Sequence, residues 1–274
     1  MKRVIKNIII KIIGKHRFEQ LKKEYSYNFK YPNNIDDLYI ISKYLNKKIK
    51  NGTMVDVGVH FGESSELFLN NDWKVYGFEP DDNNKNKIPN DILNHKNYTL
   101  FDCALSDKIG EMNFYSSEES TGISSLLNFH ETHKIAKVVK VETLNNMISK
   151  NHINNINMLK IDTEGYDLFV LKGLDILKQD ELEIIFCEFE DNKTKKLDYV
   201  VQDMINHLMD SGYKVIVSEW HPIIKYGVQH KFNKAEKYPC TISENGWGNL
   251  VAYKDEAFEK YFINEIKKRV AIIK

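Results

Sequence analysis

Short apolar runs alternate with amphipathic segments along most of the chain beyond residue 50. Seven runs have the length and composition of buried strands: Thr53–Val57, Lys74–Glu79, Tyr98–Phe101, Met158–Asp162, Glu183–Glu188, Tyr213–Ser218 and Asn249–Tyr253. Helical spacing appears between several of them, at Ser64–Asn70, Tyr166–Leu177 and Leu197–Ser211. This order predicts an α/β fold with a seven-stranded, mostly parallel, Rossmann-like sheet and helices on both faces.

Two insertions interrupt the alternation. In the first, at about 111–141, Glu111–Tyr115 and Lys137–Val141 alternate in polarity and predict a small antiparallel β arm. The second, at about 219–248, carries Trp220 and Trp247. Ligands of an open parallel sheet lie outside the carboxyl ends of its strands, and both insertions follow strand ends. They are therefore candidate substrate loops of a domain that we expect to span residues 51–274.

Residues 1–50 are predicted to form a helical extension. Near its start, apolar positions repeat with helical spacing between lysines, at Ile5, Ile8, Ile9, Ile12 and Ile13. One interpretation packs this helix on the domain or on a second subunit, and a second amphipathic helix at about 256–270 would also suit a homodimer. The other interpretation lays the basic helix on an anionic membrane surface. No apolar run is long enough to predict a membrane-spanning helix.

The composition narrows the classes of function. Lys+Arg and Asp+Glu both total 39, so the formal net charge is zero and the basic excess of a general nucleic-acid binder is missing. Cys103, Cys187 and Cys240 are too few and too scattered for a disulfide framework or a zinc site. We therefore expect no nucleic-acid partner and a cytoplasmic protein, peripheral at the inner membrane surface if the first helix binds lipid.

The most informative motif follows the first predicted strand, where the chain runs through two glycines into a helix. Gly58 and Gly62 are four residues apart, which is not the spacing of the dinucleotide fingerprint, and Asp56 precedes them. A carboxylate there would repel a pyrophosphate and attract a sulfonium with an α-amino group. The motif favours S-adenosylmethionine over NAD, with candidate contacts at Asp56, Gly58, His60, Gly62, Ser64 and Ser65.

Acids at the ends of other predicted strands extend this cofactor site. Glu79 ends the second strand, where a carboxylate can accept both hydroxyls of a ribose. Asp102 follows the third strand and is a candidate acceptor for the adenine amino group. Asp162 ends the fourth strand and is expected to face the same cleft.

Four stretches, together with Ser124-Ser125-Leu126, resemble the FkbM-type S-adenosylmethionine-dependent methyltransferases over roughly residues 53–190. They are Val55-Asp56-Val57-Gly58 through Gly62, Gly77-Phe78-Glu79-Pro80, Ala104-Leu105-Ser106-Asp107 with Gly110, and Leu159 through Asp167. The resemblance implies a small-molecule or sugar O-methyltransferase of class I fold that releases S-adenosylhomocysteine. Two positions depart from the family pattern, because His60 replaces a small residue or Asn and Asp167 replaces Glu.

Methyl transfer to a hydroxyl benefits from a base, and two sets of residues are candidates. The carboxylates Asp162, Glu164 and Glu188 are expected at one sheet edge. There, Asp162 and Glu188 would bind a divalent cation that activates the acceptor, or one carboxylate would orient the acceptor or act as the base. A third interpretation makes Asp162 or Glu164 a helix cap. The second set consists of His133 and His221, in the two insertions.

The expected acceptor is a sugar, in particular a nucleotide-activated sugar for a surface polysaccharide. Ser124, Ser125, His130 and Trp220 are the candidate substrate residues. Arginine stands only at Arg3, Arg17 and Arg269, outside the motifs, so lysines, histidines or backbone amides would hold a diphosphate. The alternatives are a lipid-linked or other small acceptor at a membrane surface, or a cofactor-binding protein without catalysis.

Overall fold

The computed structural model describes residues 35–117, 119–176, 179–223 and 230–273. The helix predicted at 5–13 lies outside these residues. The strands are β1 (Thr53–Val57), β2 (Lys74–Phe78), β3 (Tyr98–Phe101), β4 (Ala104–Leu105), β5 (Gly110–Ser116), β6 (Lys134–Glu142), β7 (Ile156–Ile161), β8 (Ile184–Glu190), β9 (Lys214–Trp220), β10 (Phe232–Lys237) and β11 (Trp247–Tyr253).

Helices connect most of these strands. They are α1 (Asp37–Lys48), α2 (Glu63–Leu69), α3 (Asp82–Lys85), α4 (Asn90–Leu93), α5 (Leu144–Asn151), α6 (Asp167–Lys172), α7 (Asp191–Thr194), α8 (Val201–Asp210) and α9 (Glu256–Ile273), with 3₁₀ turns at Thr121–Ile123 and Lys195–Leu197. The predicted helix 166–177 ends early, at Lys172, and Gly173 follows. A Cβ atom on Gly173 would lie 2.3 Å from the carbonyl oxygen of Ser106, so only glycine fits this close approach. In the described part of the chain, every helix is too short or too polar to cross a bilayer.

The large sheet has the strand order β10-β9-β11-β8-β7-β1-β2-β3. Five neighbouring strands are parallel to one another, in the order β8, β7, β1, β2 and β3. Strand β11 runs antiparallel between β8 and β9. The predicted α/β fold with a mostly parallel sheet is confirmed. The described sheet has eight strands instead of seven, because β10, within the second insertion, pairs with β9 from Phe232↔Trp220 to Lys237↔Ile216.

The first insertion forms the predicted antiparallel arm, in which β5 pairs with β6. The sequence did not predict that β4 joins it, pairing Ala104 with Val141 in parallel. This arm is a second sheet that stands beside the carboxyl edge of the first.

Both faces of the central strands β1 and β7 are buried, as expected for parallel strands. Successive residues of a strand point to opposite faces. Val55 and Leu159 accordingly pack in the layer of α5, α6 and α8, whereas Met54 and Met158 pack in the layer of α1, α2 and α9. α1 is capped by Asp36, whose carboxylate accepts a hydrogen bond from the amide of Tyr39 at 2.9 Å.

Candidate active site

A cavity of about 310 Å³ opens at the carboxyl ends of β1, β2 and β7. This is the point where strand order reverses, with β2 on one side of β1 and β7 on the other, and such a point is where open α/β sheets bind ligands. Its walls are the glycine turn after β1, Glu79 and Pro80 after β2, the 3₁₀ turn of the arm, and Asp162–Glu164 after β7. The arm therefore closes one side of the cavity.

Gly58 makes the close approach of β1 and β7 possible. Its φ of 78° is left-handed, and a Cβ atom would lie 1.9 Å from the carbonyl oxygen of Asp162. The amide of Asp162 in turn donates to the carbonyl of Val57 at 3.0 Å. Gly62, with φ 83°, is the N-cap of α2 and faces Ile92, whose Cδ1 would lie 3.1 Å from a Cβ atom there. At both positions the left-handed backbone and the close neighbouring atoms require glycine, in addition to any need for a ligand to approach the backbone.

Glu79 lines the cavity, although only 4% of the residue is exposed. One carboxylate oxygen accepts the amide of His60 and the other accepts the amide of Asp81, each at 2.8 Å. Burial raises the pKa of Glu79 to about 7. A carboxylate oxygen can accept more than one hydrogen bond, so both oxygens retain capacity for a diol such as a ribose.

Asp56 lies behind the cavity wall and does not line it. It is fully buried and accepts a hydrogen bond from Oγ of Ser65 at 2.7 Å, and Nζ of Lys160 lies 3.4 Å from its Oδ1. Burial raises the pKa of the Asp56 carboxyl, and the nearby ammonium of Lys160 opposes that shift. Ser65 and Asp56 therefore support the wall, whereas Gly58, His60 and Ser64 line the cavity.

Lys160 is a site residue that the sequence motifs do not predict. It is 2% exposed, lines the cavity, and donates to the carbonyl oxygen of Gly58 at 2.5 Å. Its Nζ also lies 3.5 Å from Oδ2 of Asp162. Desolvation lowers the pKa of Lys160, but Asp162 and Asp56 outweigh it and hold the pKa above its usual value. A lysine inside an otherwise apolar buried strand, Leu159-Lys160-Ile161, was the signal available in the sequence.

The carboxylates of Asp162, Glu164 and Glu188 converge as the sequence predicts, with one oxygen of each within 4.8 Å of the others. Lys193, a residue that the sequence did not single out, reaches the same cluster. Its Nζ lies 2.5 Å from Glu164 and 3.6 Å from Glu188. Burial raises the pKa of Glu164 to about 7 and that of Glu188 well above its usual value. Glu164 and Asp162 line the cavity.

The serine loop is tied to the strand that carries these acids. Oγ of Ser125 donates to the carbonyl of Glu164 at 2.9 Å and accepts the amide of Leu127 at 3.0 Å. Ser124 and Ser125 both line the cavity, and Nε2 of His60 lies 3.4 Å from Oγ1 of Thr121 across it. The arm and the glycine turn therefore meet over the candidate cofactor site.

Several predicted site residues lie away from the cavity. Asp102 is exposed and pairs with Lys85, while its buried neighbour Cys103 lines the cavity instead. His130 contacts Oγ1 of Thr132 at 2.8 Å, and Nε2 of His133 lies 2.9 Å from the carbonyl of Ile123. Burial lowers the pKa of His133. The structure thus places these two histidines within the arm, as supports of its loop.

Trp220 and Trp247 form an aromatic pair at the same sheet edge, with ring centroids 5.7 Å apart and planes inclined by 30°. Nε1 of Trp247 donates to the carbonyl of the exposed His221 at 2.8 Å. Trp247 also lies opposite Glu190 in the β8–β11 ladder. Nζ of Lys193 is 2.6 Å from Glu190, so the acidic cluster and the aromatic pair lie at the same edge of the sheet.

Comparison with known proteins identifies the domain. A model of the methyltransferase FkbM domain matches residues 56–215, which include the glycine turn, Glu79, the arm and the acidic cluster. A search of curated proteins finds no match.

A search of solved structures finds similarity to several methyltransferases, at low identity and with TM-scores below 0.5. Precorrin-6y C5,15-methyltransferase from Geobacter metallireducens is 12% identical, with 79% of this chain and 87% of that one covered and a TM-score of 0.40. An rRNA methylase from Streptococcus thermophilus is 10% identical, with coverage of 80% and 97% and a TM-score of 0.42. SMU.1697c from Streptococcus mutans, in complex with SAH, is 13% identical, with coverage of 80% and 99% and a TM-score of 0.43.

Proposed function

The chain belongs to the FkbM methyltransferase domain family and is an S-adenosylmethionine-dependent methyltransferase, and from this premise we propose that it methylates a hydroxyl oxygen of a sugar. The observation that carries the proposal is the position of Glu164. Its carboxylate lines the cavity and pairs with Lys193, which also pairs with Glu190, the residue opposite Trp247 in the β8–β11 ladder. A proton acceptor and an aromatic pair thus lie at the same edge of the sheet.

The cavity has the size and polarity that the cofactor requires. Its volume of about 310 Å³ falls at the lower end of small-molecule sites, and the open side leaves room for an acceptor. Glu79 would hold the ribose hydroxyls, while Asp162 and the turn at Gly58 would hold the methionine end. When bound, S-adenosylmethionine supplies an electrophilic methyl group, and S-adenosylhomocysteine is the product.

The chain's own residues position the acceptor and take its proton. A sugar hydroxyl is a weak nucleophile when neutral, so removal of its proton by a placed carboxylate contributes about 10²–10⁴-fold. Burial raises the pKa of Glu164 to about 7, which suits a base at neutral pH. Lys193 holds this carboxylate in one place, and Oγ of Ser125 fixes the backbone carbonyl of Glu164. Ser124, beside it, is a candidate contact of the acceptor.

The tryptophan pair supports a sugar as the acceptor. Trp220 and Trp247 are partly exposed and present the apolar faces against which a pyranose ring packs. Arg269, the arginine among the described residues, is buried in α9 beside Asp36, far along the chain from the site motifs. If the sugar is nucleotide-activated, as for a surface polysaccharide, lysines, histidines or backbone amides hold its phosphates.

A screen of nucleotide sugars with S-adenosylmethionine, followed by mass spectrometry, tests the proposal. We expect one acceptor to gain a single methyl group on a ring hydroxyl, and Trp220→Ala to raise its KM while the affinity for S-adenosylhomocysteine stays unchanged. Glu111→Gln, on the exposed arm, is the matched control and should behave as wild type. Lipid-linked sugars and phenols belong in the same screen, because methylation of phenols alone would contradict a sugar acceptor.

A further inference from the structure

Lys193 is a buried lysine surrounded by three glutamates. It lies in α7, directly after β8, and only 3% of its side chain is exposed. Its Nζ lies 2.5 Å from Glu164, 2.6 Å from Glu190 and 3.6 Å from Glu188, and it sits 5.0 Å from the centre of the Phe129 ring. A charge in such a position is stable only when it is paired, and three carboxylates pair it.

The same cluster has the spacing of a metal site. Among the described residues, Asp162, Glu164 and Glu188 are the one group of three His, Cys, Asp or Glu side chains close enough to share an ion. Hard divalent cations prefer such oxygens, at about 2.0–2.6 Å. However, the ammonium of Lys193 already contacts two of the three carboxylates, and that of Lys160 lies 3.5 Å from the third. An ion bound to all three would stand within a few ångströms of two positive charges.

We propose that Lys193 is a positioning residue that serves as a built-in cation, excluding a divalent metal from the Asp162–Glu164–Glu188 cluster and fixing its carboxylates toward the acceptor side of the cavity. The assignment of an acceptor side rests on the proposed function. The exclusion of metal does not depend on it, because cation binding is measured without substrate or turnover.

Mn²⁺ binding to the full chain, measured by electron paramagnetic resonance and calorimetry, tests the proposal. We expect no saturable binding to wild type. Lys193→Met should create a saturable site whose affinity exceeds any residual binding to wild type by about a hundredfold or more, because it removes one unit charge at close range. Lys193→Arg keeps the positive charge and should behave as wild type. Adding Glu188→Gln to Lys193→Met should abolish the new site.

Folding of the variants is checked by circular dichroism and by binding of S-adenosylhomocysteine. If Lys193→Met does not fold, Lys193→Met with Glu190→Gln relieves the repulsion and keeps the three candidate ligands. The proposal is overturned if a folded variant of either kind binds Mn²⁺ no more tightly than wild type. It is equally overturned if wild type binds Mn²⁺ and Glu188→Gln abolishes that binding, an outcome that needs no Lys193 variant.

Discussion

A Cβ atom on Gly58 would lie 1.9 Å from the carbonyl oxygen of Asp162, so the ends of β1 and β7 approach too closely for any side chain. Gly58→Ala must therefore move one of the two strand ends and also strain a φ of 78°. We expect the substitution to lower the free energy of unfolding by more than about 1 kcal/mol and to weaken binding of S-adenosylhomocysteine. Denaturant unfolding and calorimetry measure the two effects.

Gly110→Ala is the matched control for this prediction. Gly110 begins β5, is exposed, and has no atom within 4 Å of the position of a Cβ. The variant should keep wild-type stability and cofactor affinity. Equal behaviour of the Gly58 and Gly110 variants would show that the strand ends can separate without cost.

Glu79 should make cofactor binding depend on pH. Burial raises its pKa to about 7, and the ionised form is the one that accepts two hydroxyls. Affinity for S-adenosylhomocysteine should therefore be highest above pH 7 and fall as the pH drops, by up to about tenfold per unit. Glu79→Gln should bind weakly and lose this dependence. Glu164→Gln should retain it, even though Glu164 titrates in the same range.

Lys160 should be essential for the stability of the cavity wall, because it pairs with both Asp56 and Asp162. Lys160→Met leaves the fully buried Asp56 without its ammonium, and breaking a buried pair in this way costs about 3–5 kcal/mol. Lys74→Met, on an exposed position of β2, should cost little. Similar melting temperatures for the two variants would mean that Asp56 is protonated in the native protein.

Asp37 should make the free energy of unfolding decrease as the pH rises. It is buried at the start of α1, where it accepts hydrogen bonds from Ser218 and Asn249, and desolvation raises its pKa from 3.8 to about 7. The folded state therefore binds this proton more tightly than the unfolded state. Its contribution to stability is fully present below about pH 4 and is lost as the pH rises to 7.

Asp37→Asn tests this sign, because it removes the titration and keeps one acceptor oxygen. Between pH 5 and pH 8, the free energy of unfolding of the variant should rise relative to that of wild type by ~1–3 kcal/mol, measured by denaturant unfolding at each pH. A constant difference between the two proteins across that range would contradict the assignment.

The large sheet could be predicted from the sequence because its strands are apolar runs of buried residues, such as Thr53–Val57. β10 gave no such signal. Its sequence, Phe232-Asn-Lys-Ala-Glu-Lys237, is mostly polar, as suits an edge strand with solvent on one side. β4 has only two residues and depends on β6 for pairing, so local pattern could not reveal it.

The acids of the site could be predicted from strand ends, but their partners could not. Asp162 and Glu164 follow β7, and Glu188 lies near the carboxyl end of the parallel strand β8, so the three meet at one edge. Lys160 and Lys193 neutralise part of that charge. The apolar strand around Lys160 marks it in the sequence, whereas nothing local distinguishes Lys193 from the chain's many solvated lysines until tertiary contacts form. The acids of this cluster are therefore largely paired with lysines. Asp102 is a related case, because it pairs with Lys85 and does not line the cavity, and strand ends alone do not predict that contact.

Methyl transfer by Glu164→Gln, with the sugar acceptor found by the nucleotide-sugar screen, tests the central claim most directly. Glutamine keeps the size of the side chain and removes its ability to take a proton. We predict a fall in kcat of about 10²–10⁴-fold, with the affinity for S-adenosylhomocysteine unchanged and the methyl group of the wild-type product on a sugar oxygen. A variant that turns over at the wild-type rate, or a product methylated on nitrogen or carbon, would contradict the account.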